Sequence, residues 1–289
     1  MSDAIRRSAL YMPGSNARAL VKARALDADV IIIDLEDAVA PDAKASARIL
    51  AEQAIVEGGY GPREVVLRVN ALDSAWFSKD VDVVKKGKPD AVLFPKISSA
   101  KDVVAAQAAL DDVDPGGGIK LWLMMETAMS VVQAGAIAGS VGIANRLSCL
   151  VVGTNDLAKE TGVSANADRA YLMPWLMTYV AAAKAHGLTI LDGVSNAIQE
   201  TDALVRECQQ GRTMGMDGKT LIHPAQIEPC NAAFSPSSHE IEEAQAIVTA
   251  FALPENAGQG VISLNGKMVE LLHLEMAKKM LAVAKRLRD

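Results

Sequence analysis

Apolar runs with the character of buried strands recur along this 289-residue chain, and a charged side chain stands at or just after most of them. The runs lie near Ser8–Met12, Val30–Leu35, Val65–Asn70, Ala91–Pro95, Lys120–Met125, Cys149–Gly153 and Thr189–Asp192, with a less distinct eighth near Thr213–Met216. Between them, segments such as Ala43–Val56 and Ala100–Leu110 carry Ala-rich apolar faces at helical spacing. Near-continuous apolar strands alternating with helices predict a parallel sheet buried on both faces.

The spacing narrows the fold. The charged residues at strand ends are Glu36, Arg68, Lys96, Glu126, Asp156 and Asp192, at successive intervals of 32, 28, 30, 30 and 36 residues. Each interval accommodates one βα unit, and eight units fill the roughly 250 residues of a (β/α)8 TIM barrel. Active sites in that α/β fold lie at the carboxyl ends of the strands, so these side chains are expected to converge on one mouth. An open doubly wound sheet is the rival, but no Gly-x-Gly-x-x-Gly fingerprint supports it.

The rhythm stops near Ser235. The barrel is therefore assigned to residues 1–234, and residues 235–289 to a C-terminal helical extension. That extension is expected to contain a helical stretch at Glu240–Phe251, a loop at Pro254–Gly260, a short run at Val261–Leu264 and a closing amphipathic helix from near Gly266. It reads as an arm or lid over its own barrel or a neighbouring subunit.

A net charge of −6 disfavours a nucleic-acid binder, which needs a broad basic face. Cys149, Cys208 and Cys230 form no CxxC pair and leave one over, which points to a reducing, cytoplasmic setting. The opening MSDAIRRSAL lacks the apolar stretch of a signal peptide, and no apolar run is long enough for a bilayer. No membrane association is expected.

Glu126 and Asp156 each emerge from an apolar run, LWLMMET and CLVVGTND. Two carboxylates from adjacent units are hard oxygen ligands suited to Mg2+, which keeps open positions for water and substrate. Asp156 alone also fits as a helix cap, but the matched pair favours a metal. His186, His223, His239 and His273 show no metal-ligand spacing, which disfavours zinc. Arg68, inside VVLRVN, needs carboxylate partners, with Asp34 and Glu36 as candidates. It is either a buried structural pair or a fork for a substrate oxygen, and one Arg can do both. Arg18, Lys22 and Arg24 follow the first strand and are available to phosphates, although such side chains are usually just solvated. Lys96 in LFPK has the position of a Schiff-base lysine, but its metal-binding neighbours argue otherwise.

Taken in order, RSALYMPGS, IIIDLEDAV with Lys44 and Ala47-Arg48, LRVN, LFPK, MMET, VGTNDL, GMDGKTLIHPAQI and LNGKMVE resemble the citrate lyase β-subunit and malyl-CoA lyase family. That family lies within the wider HpcH/HpaI aldolase group, and the resemblance runs from about Arg7 to Leu281. It implies a (β/α)8 barrel with a C-terminal extension, assembled as a homotrimer or hexamer. It also implies a Mg2+-dependent C–C lyase of 3-hydroxyacyl-CoA thioesters such as malyl-, methylmalyl-, citramalyl- or citryl-CoA, yielding acetyl- or propionyl-CoA and a 2-oxoacid. Glu126 and Asp156 would hold the metal, and Arg68 would stabilise the thioester enolate with Glu36 behind it. The segment containing Arg18 and Lys22, and Ile222-His223-Pro224, would bind coenzyme A. Related lyases carry an aspartate in Gly-x-Met-Ile-Asp, which reaches a neighbouring subunit's mouth; here Gly266–Glu270 reads GKMVE, so Glu270 takes that place.

Three alternatives stay open beside the lyase. A malyl-CoA thioesterase would use the same pocket with water as the attacking group. An aldolase of free hydroxyacids would need a His-Arg pair at the mouth, and no strand end offers the His. A non-catalytic CoA-binding subunit finds its support in the Asp-to-Glu difference.

Overall fold

Eight of the strands close on themselves. A computed structural model describes residues 4–164 and 168–287. In it β1 (Ser8–Pro13), β2 (Val30–Asp34), β3 (Glu64–Arg68), β4 (Ala91–Phe94), β5 (Lys120–Met125), β6 (Leu147–Val152), β7 (Thr189–Asp192) and β8 (Gly218–Leu221) form a closed parallel barrel in sequence order. The ring is sealed where Ser8, Ala9 and Leu10 pair with Lys219, Thr220 and Leu221. Helices alternate with the strands, so the fold is the (β/α)8 barrel, with further helices after it.

Two-residue alternation sorts each strand between two cores. Ala9, Val30, Ile32, Val66, Leu93, Trp122, Met124, Cys149, Val151 and Leu191 fill the barrel interior. Their neighbours Leu10, Ile31, Ile33, Leu67, Val92, Leu123, Leu150 and Ile190 pack outward against the helices. Continuing the inner rows toward the carboxyl ends brings Tyr11, Asp34, Arg68 and Glu126 to the mouth. The sequence of the strands thus dictates which polar groups meet.

The eighth strand is displaced from its expected position. Thr213 ends the helix Thr201–Thr213, Met214 and Gly215 form a turn ahead of Met216, and the strand is Gly218–Leu221. Gly218-Lys219-Thr220 has little strand character by itself; the pairing with β1 supplies it.

The chain divides into two compact units, Met1–Phe234 and Ser235–Asp289. The second contains the helix Ser238–Phe251, a hairpin of β9 (Val261–Leu264) and β10 (Lys267–Glu270), and the helix Leu271–Arg286. Gly266 therefore does not start the last helix. Asn265 and Gly266, both at positive φ (51° and 76°), form the two-residue loop that a tight hairpin favours. Ala250, Ile262 and Val269 form this unit's own small core. Among the described residues no helix is long and apolar enough to cross a membrane.

Candidate active site

Arg68 is buried at the end of β3, yet its donors are well matched. Its Nε and Nη2 donate to the two oxygens of Asp34 at 2.7 and 2.6 Å, a bidentate fork that fixes the guanidinium plane. Asp34, fully buried, also accepts the backbone N–H groups of Glu36 (2.8 Å) and Ala38 (3.0 Å). Burial alone would raise its pKa, but the charge and hydrogen bonds of Arg68 and these two amides more than offset that, and the carboxyl is held below its usual range.

Glu36 is in a different state. Its Oε2 lies 2.8 Å from Arg68 Nη1, but without a directed hydrogen bond. Burial dominates here, reinforced by Asp37 and Glu126 against the pull of Arg68, and the carboxyl is pushed up to about 8. Asp37 is largely exposed, with its carboxylate 3.6 Å from Arg68 Nη1. The three acids after β2 therefore divide the work: Asp34 anchors Arg68, Glu36 presses against its free edge, and Asp37 stands at the rim.

Glu126, at the end of β5, is completely buried. Its Oε1 accepts the Lys96 backbone N–H at 2.7 Å, and its Oε2 has no partner among the described residues. Burial raises its pKa, only partly countered by Lys96. The Lys96 ammonium sits between the pair, 2.5 Å from Asp156 Oδ1 and 3.5 Å from Glu126 Oε1. Asp156 lies in the first turn of the helix Thr154–Thr161 and makes no side-chain cap, so its carboxylate turns to the mouth, where Lys96 holds it. Gly153 makes the approach possible: a Cβ there would stand 2.5 Å from Glu126 Cβ and 2.7 Å from its Oε2.

These residues fit a hard divalent cation. An orphaned buried oxygen on Glu126 and a second carboxylate from the next unit are suitable ligands, and a cation already bridges them as the Lys96 ammonium. Among the described residues no group of three or more His, Cys, Asp or Glu forms a cage. A two-carboxylate site suits an ion that keeps several waters. The Lys96 side chain is partly exposed.

A cavity of roughly 300 Å³ opens in front of this centre, lined by Tyr11, Asp34, Asp37, Arg68, Met124, Gly153, Asp156, Thr220 and Ile222 among others. Glu36 and Glu126 lie just behind its wall. Arg18 and Lys22 are exposed on the first helix, while Arg24 is taken by Glu57 at 2.8 Å. His223 and Pro224 follow Ile222, and the His223 imidazole Nδ1 accepts the Ala225 N–H as a helix cap. Glu270 belongs to the second unit. There its carboxylate and His273 form a reciprocal capping box at the start of the last helix.

Residues 7–224 match the family model described as HpcH/HpaI aldolase/citrate lyase. The chain belongs to this family. It is 49% identical over 278 residues to (3S)-malyl-CoA thioesterase of Cereibacter sphaeroides (strain KD131 / KCTC 12085), covering 96% of this chain and 94% of that one. It is 33% identical to citrate lyase subunit beta of Haemophilus influenzae, covering 97% of each. The protein CitE from Mycobacterium tuberculosis, solved with magnesium, acetoacetate and coenzyme A, superposes with a TM-score of 0.79. That match has 28% identity and covers 96% of this chain and 97% of that one.

Asp192 does not join the mouth of this HpcH/HpaI barrel. Leu191 takes the inner position of β7, so Asp192 points to the outer face. There it binds Arg169 (2.8 Å) and Lys219 (3.0 Å), with Glu207 3.0 Å from the same ammonium. Sequence reasoning also missed a clamp on the β2 loop. The buried Lys44 ammonium donates to Leu35 O (2.7 Å), Glu36 O (2.8 Å) and Asn70 Oδ1 (2.7 Å). Asn70 is in turn held by Asp80, which also accepts from Arg48 at 2.6 Å. The sequence marks Lys44 only as part of a family-like motif and gives no sign of its three partners. Gln226 ties the β7 and β8 loops through Ser195 O and the Ile222 N–H, both at 3.0 Å.

Proposed function

We propose that this protein is a Mg2+-dependent enzyme of short 3-hydroxyacyl-CoA thioesters, hydrolysing (3S)-malyl-CoA to malate and free coenzyme A. The observation that carries the reading is a charge excess at the mouth. Five acids (Asp34, Glu36, Asp37, Glu126, Asp156) face two cations (Arg68, Lys96), an excess of acid that a divalent ion would reduce. The 49% identity to a malyl-CoA thioesterase, and the magnesium, acetoacetate and coenzyme A of the CitE complex, support the same ligands here. A cavity near 300 Å³ suits the four-carbon acyl end, with the nucleotide outside.

A Mg2+ held by Glu126 and Asp156 would supply Lewis-acid charge to the hydroxyacid end. Arg68, with two nitrogens committed to Asp34, turns Nη1 toward the thioester oxygen, where negative charge develops as water adds. Glu36, beside that nitrogen, is assigned in its ionised form to receive the water's proton and pass it to the departing sulfur. The sulfur then departs as the coenzyme A thiol. Exposed Arg18 and Lys22, with Ile222, His223 and Pro224 at the β8 end, are assigned to the coenzyme.

A C–C lyase is the second reading, favoured by the identity to citrate lyase subunit beta. Cleavage of malyl-, methylmalyl-, citramalyl- or citryl-CoA to acetyl- or propionyl-CoA and a 2-oxoacid puts charge on the same thioester oxygen, so the same Arg68 serves. In that reading the protein is a homotrimer or hexamer, and residues 235–289 carry Glu270 to a neighbouring copy's mouth.

Incubation of malyl-CoA and citramalyl-CoA with protein and Mg2+, followed by mass spectrometry of the acids, separates these readings. Malate or citramalate with free coenzyme A is the expected result; glyoxylate or pyruvate with acetyl-CoA assigns the lyase. No turnover with coenzyme A still bound contradicts both and leaves a non-catalytic CoA-binding subunit.

A further inference from the structure

We infer that Tyr11 is a second hydrogen-bond donor to the thioester oxygen, acting beside Arg68. Tyr11 follows Ala9 on the inner row of β1 and lines the cavity. Its ring lies beneath the guanidinium, 4.8 Å from Arg68 Cζ, so the two side chains are held face to face. The hydroxyl at the ring's tip has one acceptor among the described residues, the Met124 sulfur at 3.9 Å. Arg68 Nη1 reaches the same sulfur at 3.6 Å. Two donors on the inner rows of β1 and β3 thus converge on a thioether, which is a weak acceptor.

A tyrosine hydroxyl in an apolar setting normally finds a strong partner. Among the described residues Tyr11 has no strong partner, and its hydroxyl opens onto the cavity. An oxygen placed before Met124 would accept from both donors at once. Met124 precedes Glu126 by one step along the inner row, so that point lies just below the proposed metal ligands. With the carboxylate and hydroxyl of the substrate directed at a Mg2+ that Glu126 and Asp156 would hold, the thioester carbonyl is the oxygen left to meet the Tyr11–Arg68 pair. Burial keeps the phenol protonated, so it remains a donor across the working pH range.

The inference rests on the thioester reading above but not on the choice between hydrolysis and cleavage. Water addition and enolate formation both place negative charge on that same oxygen. It explains why the inner row carries a tyrosine where a phenylalanine would fill the same space and stack on Arg68 equally well.

Tyr11→Phe keeps the ring and removes only the hydroxyl. The variant is expected to lower kcat on malyl-CoA about tenfold or more, on the scale of a lost oxyanion donor. KM should stay within about threefold, because the contact strengthens in the transition state. Two unreactive analogues supply a second readout. A ketone analogue, with CH2 replacing the thioester sulfur, should bind several-fold more weakly to the variant. A thioether analogue, with CH2 replacing the carbonyl, should bind both proteins alike, as should pyruvate, which lacks the thioester. Unchanged kcat in the variant, or equal weakening of the ketone and thioether analogues, overturns the role of Tyr11. Weaker pyruvate binding would move the hydroxyl to the carboxylate end and also overturns it. A wild-type protein that turns over no hydroxyacyl thioester contradicts the functional reading itself, and both fall together.

Discussion

Two buried charge networks lie on opposite faces of one barrel wall, and they are balanced differently. On the outer face, Asp192 and Glu207 meet Arg169 and Lys219, two acids against two bases. Burial would raise the Asp192 pKa, but Lys219 and Arg169 outweigh it and the carboxyl is held low. At the mouth, five acids meet two bases, and Glu36 and Glu126 are both pushed up by burial that their partners do not cancel. A closed network is what a scaffold needs, whereas a network short of positive charge is prepared for a ligand that brings it.

The difference can be broken at its strongest point. Glu126→Gln or Asp156→Asn is expected to cut turnover by about a hundred- to a thousandfold, the scale of losing a main electrostatic contact at a reacting centre. Measured without metal, the melting temperature of either variant should hold or rise. Asp192→Asn should do the reverse. Leaving Lys219 and Arg169 short of a buried partner is expected to cost about 3–5 kcal/mol of stability in denaturant titration. The folded fraction should keep its specific activity.

A smaller effect separates the two networks by pH. With metal chelated, Glu36 keeps a proton in the native state up to about pH 8, while the unfolded chain releases it near 4.5. Between those values the native state binds more protons, so this group's contribution to stability falls as pH rises and levels off above about 8. Glu36→Gln removes the titration. Its melting temperature relative to wild type should therefore climb from pH 5 to pH 8, and a flat difference across that range would contradict the strained state of Glu36.

The barrel was legible because alternating apolar strands and amphipathic helices leave few other folds, and because charges recurred at strand ends. Arg68, Glu126 and Asp156 could be placed at the mouth on that rhythm alone. Alternation also held the information that misled the reading of Asp192: its strand ends one residue out of phase, so the last side chain turns outward. The eighth strand was obscured because Gly218-Lys219-Thr220 becomes a strand through pairing with β1. In the C-terminal unit, Asn265-Gly266 is a strong hairpin signal that a helical reading passed over. The Lys44 clamp joins two neighbouring backbone carbonyls, Leu35 and Glu36, to the distant side chain of Asn70, and only the folded chain brings all three to one ammonium.

The central claim is that the mouth carries an excess of acid that takes up a divalent ion, whereas the outer network is balanced. Isothermal titration of Mg2+ into the wild type, Glu126→Gln and Asp192→Asn proteins tests it directly. The account predicts one site in the wild type and in Asp192→Asn, and none in Glu126→Gln. Equal binding by all three proteins, or binding by none, would contradict it.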